Sequence, residues 1–375
     1  MRLLHLTRDF PPAGAGGVSS AVGGLVAALR RAGVACAVAS FDGWRPRARG
    51  TAPQATEPLP AGGPAAAPVL RISAGDPGPA LAALAADFEP DVIHIHDPLL
   101  WDAARALPGD LPRVYSVHVH QAALNRLRGI AATASSRAEG EALARADAIT
   151  APSAAVAQAL FADHPALGPR LWRASWGVAE KKRQPRPADP PELLYAGRFG
   201  DVKGTAELSR VIARLLTSQA RLRFVVAGGL PHNRRAEARW RERLAAALGP
   251  EQRERLELCG WLGEAALAAR YRQAFALLFP SRLETFGLVL LEAMSWSLPV
   301  VAWSSGAAAE LIAPGRSGLL LEPGDEDGLV AGCARLLADP DLARNMGREA
   351  AAAVDRDWLW SRRRGEWSAV YEALR

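Results

Sequence analysis

Short apolar runs bounded by Gly, Pro, Asp and Ser alternate along this chain with longer stretches whose apolar positions recur every three or four residues. That alternation predicts strands separated by helices. The expected order is a strand over 2–7, a helix over 18–32, a strand over 34–40, a helix over 80–88, and strands over 91–96 (DVIHIH) and 113–120 (RVYSVHVH). A helix over 135–146, a strand over 148–151 and a helix capped by Ser153 follow. Residues 43–68 and 179–192 are rich in Pro without apolar periodicity, so the first is expected to be a loop and the second a linker. Beyond the linker the pattern restarts, with strands at 193–197, 224–229, 256–260, 275–279 and 299–302 and helices at 205–218, 234–248 and 264–274. A further helix opens at Gly287.

Such alternation on both sides of a linker predicts an α/β protein with two doubly wound parallel sheets. The expected domains are 1–178 and 193–355, with the terminal segment 356–375 packing back on the first. Sheets of this kind take ligands beyond the carboxyl ends of their strands. Two facing domains would therefore bind in the cleft between them.

Composition narrows the function classes. Hydrophobic residues make up 49% and charged residues 22%, as in a globular enzyme. No apolar run is long enough to span a bilayer, and MRLLHLTRDF reads as a first strand, not a signal peptide. Cys36, Cys259 and Cys333 are odd in number and far apart, which points away from a disulfide scaffold and towards an intracellular protein. The net charge of +6 is spread: 19 basic against 15 acidic residues in 1–185, and 26 against 24 in 186–375. No basic stripe is interleaved with aromatics, so no nucleic acid is expected as a partner, and membrane contact is at most peripheral.

The segment PSRLETFGLVLLEAMSWSLPVVAW holds the sharpest chemical signal. Glu284 falls in a loop after a strand, Gly287 opens a helix, and Glu292 lies in its second turn. A helix start offers unpaired N–H groups and a positive dipole to an anion. A carboxylate beside such a site suits the hydroxyls of a sugar or ribose better than a phosphate. The bland alternative is one loop Glu and one helix-face Glu. Arg198 and Lys203 directly follow the strand that opens the second domain, and two fixed cations there suit a diphosphate.

The first strand–helix loop, DFPPAGAGG, ends in Gly16 and Gly17 at a helix N-terminus, where backbone can approach an anion. A dinucleotide site is an alternative there, with Gly14 and Gly16 as the first two fingerprint glycines and Asp42 reaching a ribose. The double proline before the glycines argues against it. The pairs His94/His96 and His118/His120 fall on expected strands, each pair sharing one face. No metal site is assigned to them, since no further His is close in sequence; His118 is instead a candidate for contacting a ligand. Asp325-Glu326-Asp327 and Asp355-Arg356-Asp357 resemble metal-binding acidic triplets but read as helix-start caps and solvated charge.

YAGRFGDVKG (195–204), VAGG (226–229), CGWLG (259–263), LFPSRLETFGLVLLE (278–292) and GRSGLLLEP (315–323) together resemble glycosyltransferase family 4. DFPPAGAGGVSSAV, DVIHIHDP and RVYSVHVH resemble its first-domain segments, and DWLWSRRRGEWSAVYEAL its terminal crossover helix. The resemblance implies the GT-B fold, two facing Rossmann-like domains around a cleft, and a retaining, nucleotide-sugar-dependent transferase without a metal or other cofactor. It implies that Arg198 and Lys203 neutralise the donor diphosphate and that Gly16 and Gly17 let backbone N–H groups approach it. Glu284 would hold donor-sugar hydroxyls, the N–H groups of Phe286, Gly287 and Leu288 would assist the phosphate, and Glu292 would bind the ribose. His118 would lie beside the transferred sugar.

Three segments depart from the family pattern, the loop 43–68 among them. LWRASWGVAEKK places Trp176 where a small polar residue is usual, and HQAALNRLRG (120–129) is idiosyncratic. The expected reaction moves a hexose from a nucleoside diphosphate, UDP ahead of GDP and dTDP, to a hydroxyl of a small polyol or a cell-envelope glycan. The expected setting is the cytoplasm or the inner face of its membrane. A GT-B epimerase or phosphorylase, a dinucleotide oxidoreductase and a non-catalytic binding module are the alternatives.

Overall fold

The computed structural model describes residues 1–12, 16–42, 57–58, 68–72, 75–183, 187–230 and 233–375. Gly14 and most of the loop expected over 43–68 lie outside them. The chain divides into two compact units, Met1–Ala179 with Trp360–Arg375, and Glu180–Leu359.

The first unit is built on strands β1 (Arg2–Thr7), β2 (Ala35–Ser40), β3 (Glu57–Pro58), β4 (Pro68–Arg71), β5 (Val92–Ile95), β6 (Arg113–Ser116), β7 (Ala148–Ala151) and β8 (Leu171–Arg173). Their order is β3-β4-β2-β1-β5-β6-β7-β8, parallel throughout except for the β3–β4 pair. Helices α1 (Gly17–Arg31), α2 (Gly78–Phe88), α3 (Gln121–Arg128), α4 (Ala134–Arg145) and α5 (Ala154–Asp163) cross between them. The central strands are buried on both faces, one apolar and the other carrying the buried polar residues His5, Thr7, His94, Ser116 and Thr150. Leu4, Leu6, Ile93, Ile95, Tyr115 and Ile149 form one fully buried core with residues of the helices. Each such aliphatic side chain contributes roughly 1.5–3 kcal/mol by leaving water.

The C-terminal helix Trp360–Glu372 belongs to this unit. Trp360, Trp367, Val370 and Tyr371 are its buried face. Trp367 Nε1 donates to the Ser175 carbonyl at 2.9 Å, and Trp360 N–H donates to the Val178 carbonyl at 3.1 Å. A Cβ on Gly24 of α1 would stand 2.4 Å from Trp360 Nε1, so only glycine lets the indole sit there.

The second unit holds β9 (Glu192–Arg198), β10 (Arg223–Gly229), β11 (Leu256–Gly260), β12 (Ala276–Phe279), β13 (Val300–Trp303) and β14 (Gly318–Leu321). They form an all-parallel sheet in the order β11-β10-β9-β12-β13-β14. The helices are α6 (Thr205–Ser218), α7 (Arg234–Ala246), α8 (Pro250–Glu254), α9 (Glu264–Gln273), α10 (Leu288–Ser295), α11 (Ala308–Leu311), α12 (Glu326–Ala338) and α13 (Pro340–Ala353). Leu193, Tyr195, Leu208, Phe224, Leu278, Val301 and Trp303 lie in its core.

Several expectations need correction. The strand expected over 113–120 ends at Ser116: β5 ends at Ile95, opposite Tyr115, and β7 at Ala151, and after Val117 N–H donates to the Thr150 carbonyl at 2.9 Å residues 118–120 have no strand beside them among the described residues. His118 and His120 therefore lie in the following loop and do not share a face. HQAALNRLRG contains helix α3, closed by Gly129 in the left-handed region. Asp325 caps α12 through Gly328 N–H, as expected, but Asp355 and Asp357 sit within a π-helical turn, Val354–Trp358. Asp355 instead accepts from the two terminal guanidinium nitrogens of Arg183, at 2.7 and 2.5 Å.

Candidate active site

In the second unit the site grows from the carboxyl ends of β9 and β12. Arg198 is the last residue of β9 and is exposed. A 3-10 turn, Asp201–Lys203, follows and leads through Thr205 into α6. Gly200 N–H donates to Thr205 Oγ1 at 2.8 Å, which pins the turn to the helix start. Lys203 Nζ then reaches Glu284 Oε2 at 2.7 Å and lies 5.5 Å from the Phe279 ring centroid.

Glu284 is only 8% exposed. Its loop is held from beneath: Ser305 Oγ donates to the Ser281 carbonyl at 2.6 Å, and Ala307 N–H donates to the Glu284 carbonyl at 3.0 Å. Gly306 makes that approach possible. It has φ of +53°, and a Cβ there would fall 2.0 Å from the Glu284 carbonyl oxygen.

Gly287, at φ +92°, turns the chain from this loop into α10. The first intrahelical bond is Leu291 N–H to the Gly287 carbonyl, so the N–H groups of Leu288, Val289 and Leu290 precede the helical ladder. Among the described residues no side chain caps this end. Phe286 is 4% exposed and packs edge-on against Trp358, with centroids 5.8 Å apart. Its ring is core, and only its backbone is available to a ligand. One turn into α10, Glu292 Oε2 accepts from Tyr271 Oη at 3.1 Å. Burial pushes the Glu292 carboxyl up to about 7, against the opposing pull of Tyr271 and Lys181.

The remaining expected residues lie in the first unit. Gly16 and Gly17 sit at the N-terminus of α1, with Gly16 at φ +113°. A Cβ on Gly17 would meet nothing within 4 Å among the described residues, so their packing does not demand glycine there. Asp42, the candidate ribose ligand of a dinucleotide site, is engaged otherwise. It accepts from Ser40 Oγ at 2.9 Å and pairs with the Arg71 guanidinium.

His118 stacks on Trp176, with centroids 4.9 Å apart and planes 12° from parallel. The expectation that no further His is near the His pairs is overturned. Register His5↔His94 on β1 and β5 brings His5 against His94 and His96. These three could bring ligand atoms within 4.8 Å of one another. Five of their six ring nitrogens are nevertheless engaged: His5 Nδ1 with His96 Nε2, His96 Nδ1 with His118 Nε2, His94 Nε2 with Ser116 Oγ, and His94 Nδ1 with Tyr371 Oη. A metal would have to break these bonds, so the trio does not fit a ready-made ion site. The sequence offered Trp176 only as a departure from pattern and gave no sign that it is the platform for His118.

Comparison with known proteins decides the family. Residues 178–353 match the glycosyl transferases group 1 family, and residues 15–167 match Glycosyltransferase Family 4. A D-inositol 3-phosphate glycosyltransferase of Catenulispora acidiphila is 32% identical over 308 residues, covering 76% of this chain and 72% of that protein. The chain belongs to the family 4 glycosyltransferases. A glycogen synthase of Mycobacterium tuberculosis is 28% identical over 77% of this glycosyltransferase and 70% of its own length. Among solved structures, sucrose-phosphate synthase from Thermosynechococcus elongatus superposes with a TM-score of 0.81 at 22% identity, covering 100% of this chain and 99% of that one. Anabaena HepE gives 0.75 at 18% identity, with 99% of each chain covered. The glycosyltransferase thus has the GT-B fold, and glycosyl transfer from a nucleotide sugar is its activity class. Among the described residues no helix is long and apolar enough to cross a membrane.

Proposed function

We propose that this chain is a retaining, metal-independent hexosyltransferase that takes its sugar from a nucleoside diphosphate, UDP foremost, and delivers it to a hydroxyl. The observation that carries this reading is the Lys203–Glu284 pair at 2.7 Å beside the start of α10. A fixed cation, a nearly buried carboxylate and a helix N-terminus are the complements of a diphosphate next to a polyhydroxyl ring. Anabaena HepE, of the same fold, has been solved with UDP and glucose, which supports UDP as the carrier.

In the proposed reaction Arg198, Lys203 and the α10 N–H groups take the diphosphate, and Lys203 exchanges its Glu284 partner for phosphate oxygen. Glu284 is then free to accept from donor-sugar hydroxyls, and Glu292 from the ribose. The bond between the anomeric carbon and the phosphate oxygen breaks, with the electron pair leaving on the diphosphate. Two cations and the helix dipole stabilise that charge, the work a metal does elsewhere. The acceptor oxygen bonds to the anomeric carbon on the same face, and its proton passes to the departing phosphate. No side chain is assigned as a covalent nucleophile, which separates this scheme from the paired-carboxylate logic of glycosidases. Gly16, Gly17 and His118 are assigned to the donor from the first unit, and the acceptor is a small polyol or an envelope glycan.

The test incubates the protein with UDP-, GDP-, dTDP- and ADP-hexoses, EDTA and a panel of polyol and glycan acceptors. Release of one nucleoside diphosphate in EDTA, with the product in the donor's anomeric configuration, is expected. A strict divalent-cation requirement or an inverted product overturns the corresponding part. Consumption of inorganic phosphate, or sugar isomerisation without acceptor, would assign a phosphorylase or an epimerase instead.

A further inference from the structure

His5, His96 and His118 are joined by two ring-to-ring hydrogen bonds. His5 Nδ1 and His96 Nε2 are 3.1 Å apart, and His96 Nδ1 and His118 Nε2 are 3.2 Å apart. All three rings are neutral near pH 7. Burial brings His5 and His118 down to about 3 and lowers His96 well below its ordinary value. A neutral imidazole has one N–H and one bare nitrogen. His96 must therefore donate one of its two bonds and accept the other, so both bonds run in the same direction. The chain has only two states, and each fixes the proton of every ring.

The two ends are not equivalent. His118 is partly exposed, and its outer nitrogen is not among the sealed, unpartnered polar atoms of the described residues. His5 is fully buried, and its Nε2 has no hydrogen-bond partner among the described residues. If the bonds ran from His118 inwards, that sealed nitrogen would carry an unpaired N–H. If they run from His5 outwards, it carries a bare lone pair. Orphaned buried N–H groups are rarer than under-used acceptors, so the outward direction is favoured.

We propose that His5 and His96 are positioning residues that hold His118 as the Nδ1–H tautomer, so that it presents a hydrogen-bond donor, not a base, to a sugar oxygen. The Trp176 stack sets the plane of the ring and the histidine chain sets its proton. The sugar contact rests on the transferase reading above. The tautomer does not, because it is a property of the ligand-free protein.

The experiment is a long-range proton–nitrogen NMR correlation on the ligand-free full chain labelled with nitrogen-15 histidine. The His118 signals are assigned by their loss in His118→Gln. Protonated Nδ1 and bare Nε2 on His118 are expected. In His5→Phe the His118 signal should become a mixture of tautomers, and kcat should fall with little change in donor KM. His5→Asn, whose amide can donate where Nδ1 did, should restore the single tautomer. An Nε2–H tautomer on wild-type His118 overturns the proposal, as does an unchanged tautomer in folded His5→Phe. Should His5→Phe not fold, the wild-type spectrum alone decides the direction. Failure of the transfer reading shows separately, as no nucleotide release from any donor.

Discussion

Lys203 Nζ lies 2.7 Å from Glu284 Oε2, and the two residues are 81 positions apart in the chain. Lys203 and Glu284 thus satisfy one another until a ligand replaces the contact. Glu284 is the more buried partner, so it depends more on the pair. Lys203→Ala, Glu284→Ala and Arg198→Ala are each expected to lower kcat about 10²–10³-fold, the usual cost of removing one group that meets developing charge or orients the substrate. Their far-ultraviolet circular dichroism should match wild type. Turnover near wild type in all three would remove the site from consideration.

Donor affinity should depend on pH through Glu292. With its carboxyl pushed up to about 7 by burial, much of it is protonated at pH 6 and ionised at pH 8. In the role proposed for Glu292 the ionised form would accept from two ribose hydroxyls, whereas the protonated form would spend one oxygen as a donor. Affinity for a UDP-hexose, whose diphosphate does not itself titrate in this range, is expected to rise up to about tenfold from pH 6 to pH 8. Calorimetry of wild type and Glu292→Gln checks this, and the variant should show a flat profile.

A stability change with a definite sign is expected at His120, which bonds Glu139 Oε2 at 3.1 Å and Asp163 Oδ2 at 2.7 Å. Burial by itself lowers His120, but these two hydrogen bonds outweigh it and its pKa is raised. Its contribution is therefore full below the unfolded value of 6.5 and lost as pH rises through the folded value. For Asp163 burial is outweighed by Arg126 and His120, its pKa is lowered, and its contribution is lost in acid. The difference in urea midpoint between wild type and His120→Gln should be largest between about pH 4 and 6.5 and shrink by pH 9. A difference that grows with alkalinity would contradict this assignment.

Gly306→Ala tests whether the loop backbone sets the Glu284 carboxylate. The added Cβ would stand 2.0 Å from the Glu284 carbonyl oxygen at φ +53°. A loss of about 1–3 kcal/mol in urea unfolding and a large loss of transfer are expected. Gly365→Ala is the control. Its Cβ meets nothing within 4 Å on a helix, so it should stabilise by about 0.5–1 kcal/mol.

The placement of the second unit's candidate residues was legible because they follow strands directly. Arg198, Lys203, Glu284 and Glu292 each sit at or just beyond a strand's carboxyl end or in the helix that follows, and such placement shows in a linear pattern. Pairings set by sheet register did not show. His5 looked like an ordinary first-strand residue until β1 aligned with β5 and set it against His94 and His96. Asp42 looked available for a ribose until β4 brought Arg71 to it. Helix α3 was missed because HQAALNRLRG is short and weakly apolar. The over-long strand at 113–120 arose because apolar alternation continues past the point where neighbouring strands stop.

The most direct test is a calorimetric titration of UDP into wild-type protein and Lys203→Ala, each in EDTA and in magnesium, with NAD as comparator. UDP binding that is indifferent to EDTA, at least about tenfold weaker in Lys203→Ala and preferred over NAD, is the result expected for a diphosphate held by fixed cations and a helix end. Binding that requires magnesium, prefers NAD or ignores Lys203→Ala would contradict the account.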